Sequence, residues 1–560
     1  MKIRDLMYME SQRNFFIISF LIISCVLWQM WDSEYDQIFD VSNLESGHEH
    51  FNTTLPESKI SDINLKNNYI KNCDDMITIR TDVLLLKINT FGGDIEDAYL
   101  INYLENLNSN KPFHLLRSSK AFTYQIKLGV IQESSVIQNS CEHQFVYAID
   151  GKKNEYFLPI NKNELQLTLV SQNQGIIYTK QYTFHRDNYF IDISYIIHNT
   201  NTYSIRMKLF GNLIQSINPL YNQDNSNHDE DSFPLYSYRG SAYSTDKEKY
   251  RKYSFKDMKH TNLNINSNGG WIAMLQKYFA TAWLPITPKN CTFYTTYNHQ
   301  DSVAIGFNSS FVCIPAGEKT EFKSVLWIGP KIQEKMKLVD PNLDLLIDYG
   351  WLWFISQPLF NLLRFIHNFI TDNWGIAIIL ITLIIRFVMY PLTKAQYTSI
   401  AKIRMLQPKL MLIQETYKHD KYQYHQKTIE LYKSEKVNPL GGCLPLLVQM
   451  PIFLALYYML SSSIELRHSK FALWINDLSA PDPYYILPII MGITMLFIQK
   501  LSPTTISDPI QKKIMTIMLI IFTVFFLWFP SGLVLYYIIS NIITIVQQQI
   551  IYHGLSKKGL

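Results

Sequence analysis

Cysteine is scarce in this chain: six in 560 residues, too few and too scattered for a disulfide scaffold. Charge is scarce too, at 18% of the residues, where ordinary soluble proteins carry about 25%. Aromatic residues at 14% nevertheless exclude a disordered or coiled-coil chain. Fifty-one Lys and Arg against 47 Asp and Glu leave a net charge of +4. That is no nucleic-acid footprint, and DNA is not expected as a partner. Catalytic signatures are missing as well. No GxxxxGK[ST], GxSxG or HExxH occurs, and Gly317-Glu318-Lys319-Thr320 lacks the upstream glycine of a phosphate loop. His48-Glu49-His50 is a weak metal motif in a polar stretch. Neither enzymatic activity, a cofactor nor a metal is expected.

What is present is unevenly placed, and the mean hydropathy of −0.04 averages two different halves. Residues 14–31 contain no Asp, Glu, Lys or Arg, and at ~1.5 Å per residue they come close to the thickness of a bilayer core. Lys2, Arg4 and Arg13 precede them, whereas Asp32, Glu34, Asp36 and Asp40 follow. That asymmetry predicts a cytoplasmic segment 1–13, an anchor 14–31 and an exit to the outer side. A cleaved signal peptide is the rival reading, but no small-x-small site follows Trp31. Residues 32–75 read as a polar linker.

From 76 to 338 the pattern is that of strands. Met76–Ile88, Phe122–Leu128, Leu165–Val170, Tyr189–Ile197, Ile205–Phe210 and Ser302–Phe307 are rich in Val, Ile, Tyr and Phe. Phe91-Gly92-Gly93-Asp94 and Asn268-Gly269-Gly270 supply turns between such runs. One large β-sandwich outside the membrane is expected. It would hold free thiols at Cys73, Cys141, Cys291 and Cys313, or alternatively a Cys291–Cys313 bridge.

The second half is nearly free of charge. Residues 373–393 carry Arg386 alone, and 437–464 and 483–499 carry none. Residues 514–556 have only His553, and Phe529-Pro530-Ser531-Gly532 divides them into spans 514–529 and 532–552. With the anchor, six transmembrane helices result. Loop 394–436 has nine Lys/Arg against four Asp/Glu, loop 500–513 and tail 553–560 are basic, and loop 465–482 has two bases and three acids. The basic segments then share the side of the N-terminus, which places both termini in the cytoplasm. Segment 339–372 contains Pro358, Arg364 and His367 and reads as an amphipathic helix in the outer interface, anchored by Trp351 and Trp353. Spans 483–499 and 514–529 are short, which fits either a thinned bilayer or extension by interfacial residues.

An arginine at mid-helix costs ~2.5–3.5 kcal/mol, and no Asp or Glu occurs in spans two to six to meet Arg386. Neutral polar groups remain. Thr382 at i−4 and Tyr390 at i+4 share its face, Tyr536, Ser540 and Thr544 recur every four residues, as do Tyr537 and Asn541, and Gln449 is a further candidate. Two readings stand: a cavity open to the cytoplasm, or an arginine snorkelling toward the cytoplasmic end of the helix at Lys394. The basic loop 394–436 reads as a helical hairpin interrupted at Pro408, with Lys418-His419-Asp420-Lys421 as its turn and a second helix to about Ser434. Its bases would meet ribosomal RNA, anionic lipid or a partner protein, or simply be solvated.

Several stretches resemble the YidC-type membrane protein insertases of Gram-negative bacteria. They are Met389–Ser399, Arg404–Pro408, Val437–Cys443, Gln449–Tyr458 and Phe525–Tyr537, with Phe91–Asp94 and Gly269–Trp283 outside the membrane. The resemblance implies a five-helix core around a hydrophilic groove closed to the outside. By analogy, Arg386 and Thr382 belong to that groove, to which the polar Gln449, Tyr536, Tyr537 and Asn541 would add, and Met450, Phe453, Phe525 and Tyr537 to a surface along which a client slides. It also implies that the hairpin, with Lys402, Arg404, Lys409 and Lys421, captures clients at the cytoplasmic face of the inner membrane. Nascent membrane proteins and the Sec translocon, including SecD–SecF, are the implied partners, with ribosome and lipid as further ones. Three departures stand out: the extra residues before Glu10, a bulky Phe387 after the groove arginine, and a tail with only Lys557 and Lys558. On the residues alone, a secondary transporter using Arg386 as an anion site and an outer carbohydrate-binding or structural protein are the competing classes. No repeated halves and no intramembrane acid support the former.

Overall fold

The computed structural model describes residues 76–107, 109–119, 122–133, 145–149, 154–218, 238–298, 302–417, 420–435, 444–501 and 509–556. The anchor 14–31, the linker, Cys73 and Cys141 lie outside them. The described residues form two units, one of which is Lys409–Glu435. The other carries the strands and the remaining helices.

Two sheets make up the β domain, of 11 and nine strands among the described residues. In the larger sheet, Ile205–Ser216 runs antiparallel between Thr123–Gln132 and Ser302–Ser309. In the smaller, Phe190–Asn199 lies between Ile176–His185 and Lys319–Pro330. Burial alternates strictly along Ile176–His185 and Phe190–Asn199, as a period of two requires when one face is in the core. Trp271, Trp283 and Trp327 are fully buried there. The run Met76–Ile88 is two strands, not one. Thr81 Oγ1 accepts from the amides of Val83 and Leu84 (3.2 and 2.9 Å), and this turn folds Met76–Arg80 onto Leu84–Asn89.

The turn at Phe91–Asp94 needs its glycines, because Gly92 and Gly93 have φ of 86° and 64°. Lys180, fully buried, donates to the carbonyl oxygens of Gly92 and Leu128, both at 2.6 Å, and so ties the turn to both sheets. Cys291 and Cys313 are both free, which removes the alternative of a bridge. The ladders separate them: Cys291 faces Ser309, while Cys313 faces Arg206.

Helix α1 (Phe255–His260) is capped by Ser254, and α2 (Gln333–Val339) follows the last strand, so the sheet ends at Pro330. Then come α3 (Trp353–Phe369), α4 (Trp374–Val388), α5 (Tyr390–Met405), α6 (Gln407–Thr416), α7 (Lys421–Ser434), α8 (Leu444–Ser462), α9 (Ile486–Leu501), α10 (Pro509–Phe525) and α11 (Ser531–Ser556). The amphipathic reading of 339–372 corresponds to α3. It buries Ser356, Phe360, Leu363 and Ile366 and leaves Trp353, Phe354, Phe365 and Phe369 exposed. Arg364 pairs with Glu334 at 3.0 Å.

The expected span 373–393 needs correction. The helix stops at Val388, and α5 leaves at 59°. Pro391, in the first turn of α5, has no N–H to continue the α4 ladder. Among the described residues one helix, Ser531–Leu555, is by itself long and apolar enough to cross a membrane; α4 and α5 pass together as a bent pair. Ile486–Leu501 and Lys513–Trp528 are apolar but shorter. The six-helix expectation therefore goes beyond what length and composition establish. Helix α11 packs against α4, α5, α8 and α9.

Candidate functional site

The site grows from the end of α4. Asn373 starts this helix by accepting from the amides of Gly375 (2.8 Å) and Ile376 (3.2 Å). Three turns later the helix brings Arg386 against α11. There Ser540 Oγ accepts from Arg386 Nε at 2.7 Å and from Nη2 as well. Ser540 is 1% exposed. A neutral hydroxyl thus meets the guanidinium where a carboxylate would ordinarily stand.

Beside it lies a cavity of about 160 Å³ lined by Arg386, Gln449, Tyr536, Tyr537 and Asn541, which brings together five of the six predicted groove residues. Thr393, Gln396, Tyr397 and Thr544 also line it, and no carboxylate among the described residues does. Asn541 is oriented by donating from Nδ2 to Thr494 Oγ1 at 3.0 Å. Thr382 is a correction. Fully buried, it donates to its own helix at Ile378 O (2.6 Å) and does not line the cavity. Tyr390 is another, because it lies beyond the break and opens the next helix.

Of the proposed sliding surface, Phe453 stands 5.9 Å from Tyr537 and 6.0 Å from Phe526, ring centre to ring centre. Phe525 is 6.5 Å from Phe526, which therefore joins the two. Met450 is half-buried on α8. In the hairpin, Lys402 and Arg404 are exposed on α5, and Lys409 pairs with Glu435 at 2.6 Å. Lys421 opens α7 behind its cap Asp420, and its side chain lies outside the described residues. The sequence pattern offers Ser540 among the neutral polar groups available to Arg386 without singling it out. It did not find Thr393, Gln396 or Tyr397, because those enter the cavity only through the bend at Met389.

The ends of α4 and α11 at Asn373 and Ser531 are tied to the loop after α8. Ser531 N and Oγ both donate to Ala480 O (2.8 and 2.7 Å), and Gly532 N donates to Leu478 O at 2.9 Å. Asn373 Nδ2 donates to Phe471 O at 3.0 Å. Among the described residues no three His, Cys, Asp or Glu stand together as a metal site would require.

Residues 76–362 match the family described as the YidC periplasmic domain, and residues 365–558 match the 60Kd inner membrane protein family. The membrane protein insertase YidC of Blochmanniella floridana is 64% identical over 559 residues, 99% of either chain. A crystal structure of an active YidC insertase with its first transmembrane domain resolved is similar at 19% identity, over 85% of this chain and 92% of that one, with a TM-score of 0.36. A galactose mutarotase-like protein from Lactobacillus casei matches at 10% identity, over 45% of this chain and 99% of that one, with a TM-score of 0.30. With both halves matched and a relative this similar end to end, the chain belongs to the YidC family of membrane protein insertases.

Proposed function

We propose that this chain inserts integral membrane proteins into the bacterial inner membrane and helps them fold and assemble, and that the cavity at Arg386 receives the polar segment of the client. The observation that carries the reading is a guanidinium with no carboxylate partner in its cavity among the described residues, held between apolar helices by a serine hydroxyl. A buried arginine satisfied by neutral groups retains its charge for an incoming acidic segment. The client's own apolar span then leaves for lipid, and its burial there drives the step without a nucleotide.

In this reading the chain crosses the membrane six times, at 14–31, 373–388, 437–464, 483–499, 514–529 and 532–552, with both termini in the cytoplasm. The sandwich is periplasmic, α3 lies in the outer interface, and the loop 465–482 seals the outer end of the groove. Tyr537, Gln449 and Asn541 line the client's path, while Met450, Phe453 and Phe525 form the slide. The hairpin bases, Lys402, Arg404, Lys409 and Lys421 among them, face the ribosome or lipid headgroups. The Sec translocon with SecD–SecF is the partner for larger clients.

The test is insertion into proteoliposomes of single-span proteins with aspartate-bearing or neutral translocated tails. Arg386→Ala should reduce the acidic client about tenfold and the neutral one much less. Equal loss for both would assign Arg386 to structure or hydration instead. A photo-cross-linker at Met450 or Phe525 should capture nascent chains better than one at the lipid-facing Ile521.

A further inference from the structure

The carbonyl oxygen of Arg386 sits at the break between α4 and α5. The ladder passes from Met389 N to Ile385 O (2.9 Å), resumes from Thr393 N to Met389 O (3.0 Å), and has no donor at Pro391. Backbone groups released at such a break inside an apolar environment need partners from elsewhere. Arg386 O has one on α11: Gln547 Nε2 donates to it at 3.2 Å. Gln547 is 8% exposed, and its Oε1 is buried without a partner among the described residues. A side-chain amide confined at this depth loses rotamer freedom and leaves one acceptor unsatisfied, so the bond it does make anchors it.

Ser540 and Gln547 stand seven residues apart, two turns along one face of α11 and about 10 Å in length. The first accepts from the guanidinium of Arg386 and the second donates to its main-chain oxygen. We infer that Ser540 and Gln547 act as a two-point clamp, positioning residues that hold Arg386 by its two ends and aim its charge into the cavity. Gln547 fixes the backbone at the bend, from which the side chain departs, and Ser540 fixes where the guanidinium arrives. Neither touches the client. The inference rests on the reading of Arg386 as the client-facing charge.

The experiment is a double-mutant cycle on the full chain in proteoliposomes, with a single-span client carrying two aspartates in its translocated tail. Gln547→Leu and Ser540→Ala should each reduce insertion about tenfold, as expected for losing a hydrogen bond that orients a charge. In an Arg386→Ala background the same changes should cost less than about twofold more, because nothing remains to be aimed. Ser540→Thr, which keeps the hydroxyl, should restore most of the activity. Additive losses in the Arg386→Ala background would overturn the clamp and leave the two residues a purely structural role. Should Gln547→Leu not accumulate, the Ser540→Ala arm decides the question alone, since it removes one atom. If Arg386→Ala itself spares the acidic client, the reading of the groove fails, an outcome distinct from additive losses.

Discussion

The guanidinium of Arg467 lies 5.4 Å from the ring centre of Phe113, joining the loop after α8 to an inner strand of the sandwich. It is also 5.6 Å from Phe279, and Nη2 donates to Glu105 O at 3.1 Å. Phe113 and Phe279 stack on each other at 4.2 Å, and a planar cation against such a pair suits arginine better than lysine. Arg467→Ala should lower stability by ~1–3 kcal/mol, and Arg467→Lys should recover less than half of that. Thermal unfolding of the full chain in detergent measures both, and an unchanged midpoint for Arg467→Ala would mean the contact adds nothing.

Lys331 carries a pH dependence. It is buried directly after the last strand, and desolvation pushes its ammonium down to about 7, opposed in part by the charge of Asp348. A base whose folded value lies below its unfolded one binds more protons unfolded. Its cost to stability is therefore present in full below pH ~7 and is relieved as pH rises toward ~10.5. Urea unfolding of the sandwich, followed by tryptophan fluorescence, should gain up to about 1.4 kcal/mol per pH unit across that window. Lys331→Met should flatten the rise, and an unaltered slope would assign it to other groups.

Gly375 marks a close approach that tolerates no side chain. A Cβ there would fall 2.0 Å from Cδ2 of Phe471, in the loop after α8. Gly375→Ala should displace that ring and cost ~1–3 kcal/mol. Gly554→Ala is the control, because nothing lies within 4 Å of its Cβ and alanine favours helix. The first midpoint should fall and the second hold or rise.

Asp420 caps α7 by accepting from the amides of Tyr422 and Gln423, each at 3.0 Å. Asp420→Ala should weaken that first turn by ~1 kcal/mol, speeding amide exchange of residues 422–424 about fivefold. Lys409→Ala, which breaks only the exposed pair with Glu435, should change exchange by less than twofold. Similar effects for both would show that the ion pair holds the hairpin closed.

Local features of the chain were legible where one residue type settles one backbone event. Ser434 ends α7, Phe529-Pro530 separates α10 from α11, and Gly92-Gly93 makes a turn, all as composition predicts, whereas Lys421, expected in the turn, already opens α7. The break after Val388 was not legible. Pro391 reads equally well as the first-turn proline of a new helix or as a kink within one, and only the 59° exit shows which it is. Thr382 misled because periodicity gives it the face of Arg386, whereas its hydroxyl turns back to Ile378 O. A threonine in a helix has that choice at every position, and neighbours decide it.

By itself, the order of residues determined that the apolar segments 373–393, 437–464, 483–499, 514–529 and 532–552 offer Arg386 no carboxylate, and that a polar stripe at Tyr536, Ser540 and Thr544 was available. Only the tertiary structure decided which group of that stripe takes the charge, and that Gln547 takes the carbonyl behind it. Periodicity sets the face a residue occupies on its own helix. Which two faces meet, across 154 residues of chain, depends on how α4 and α11 pack and where α4 breaks.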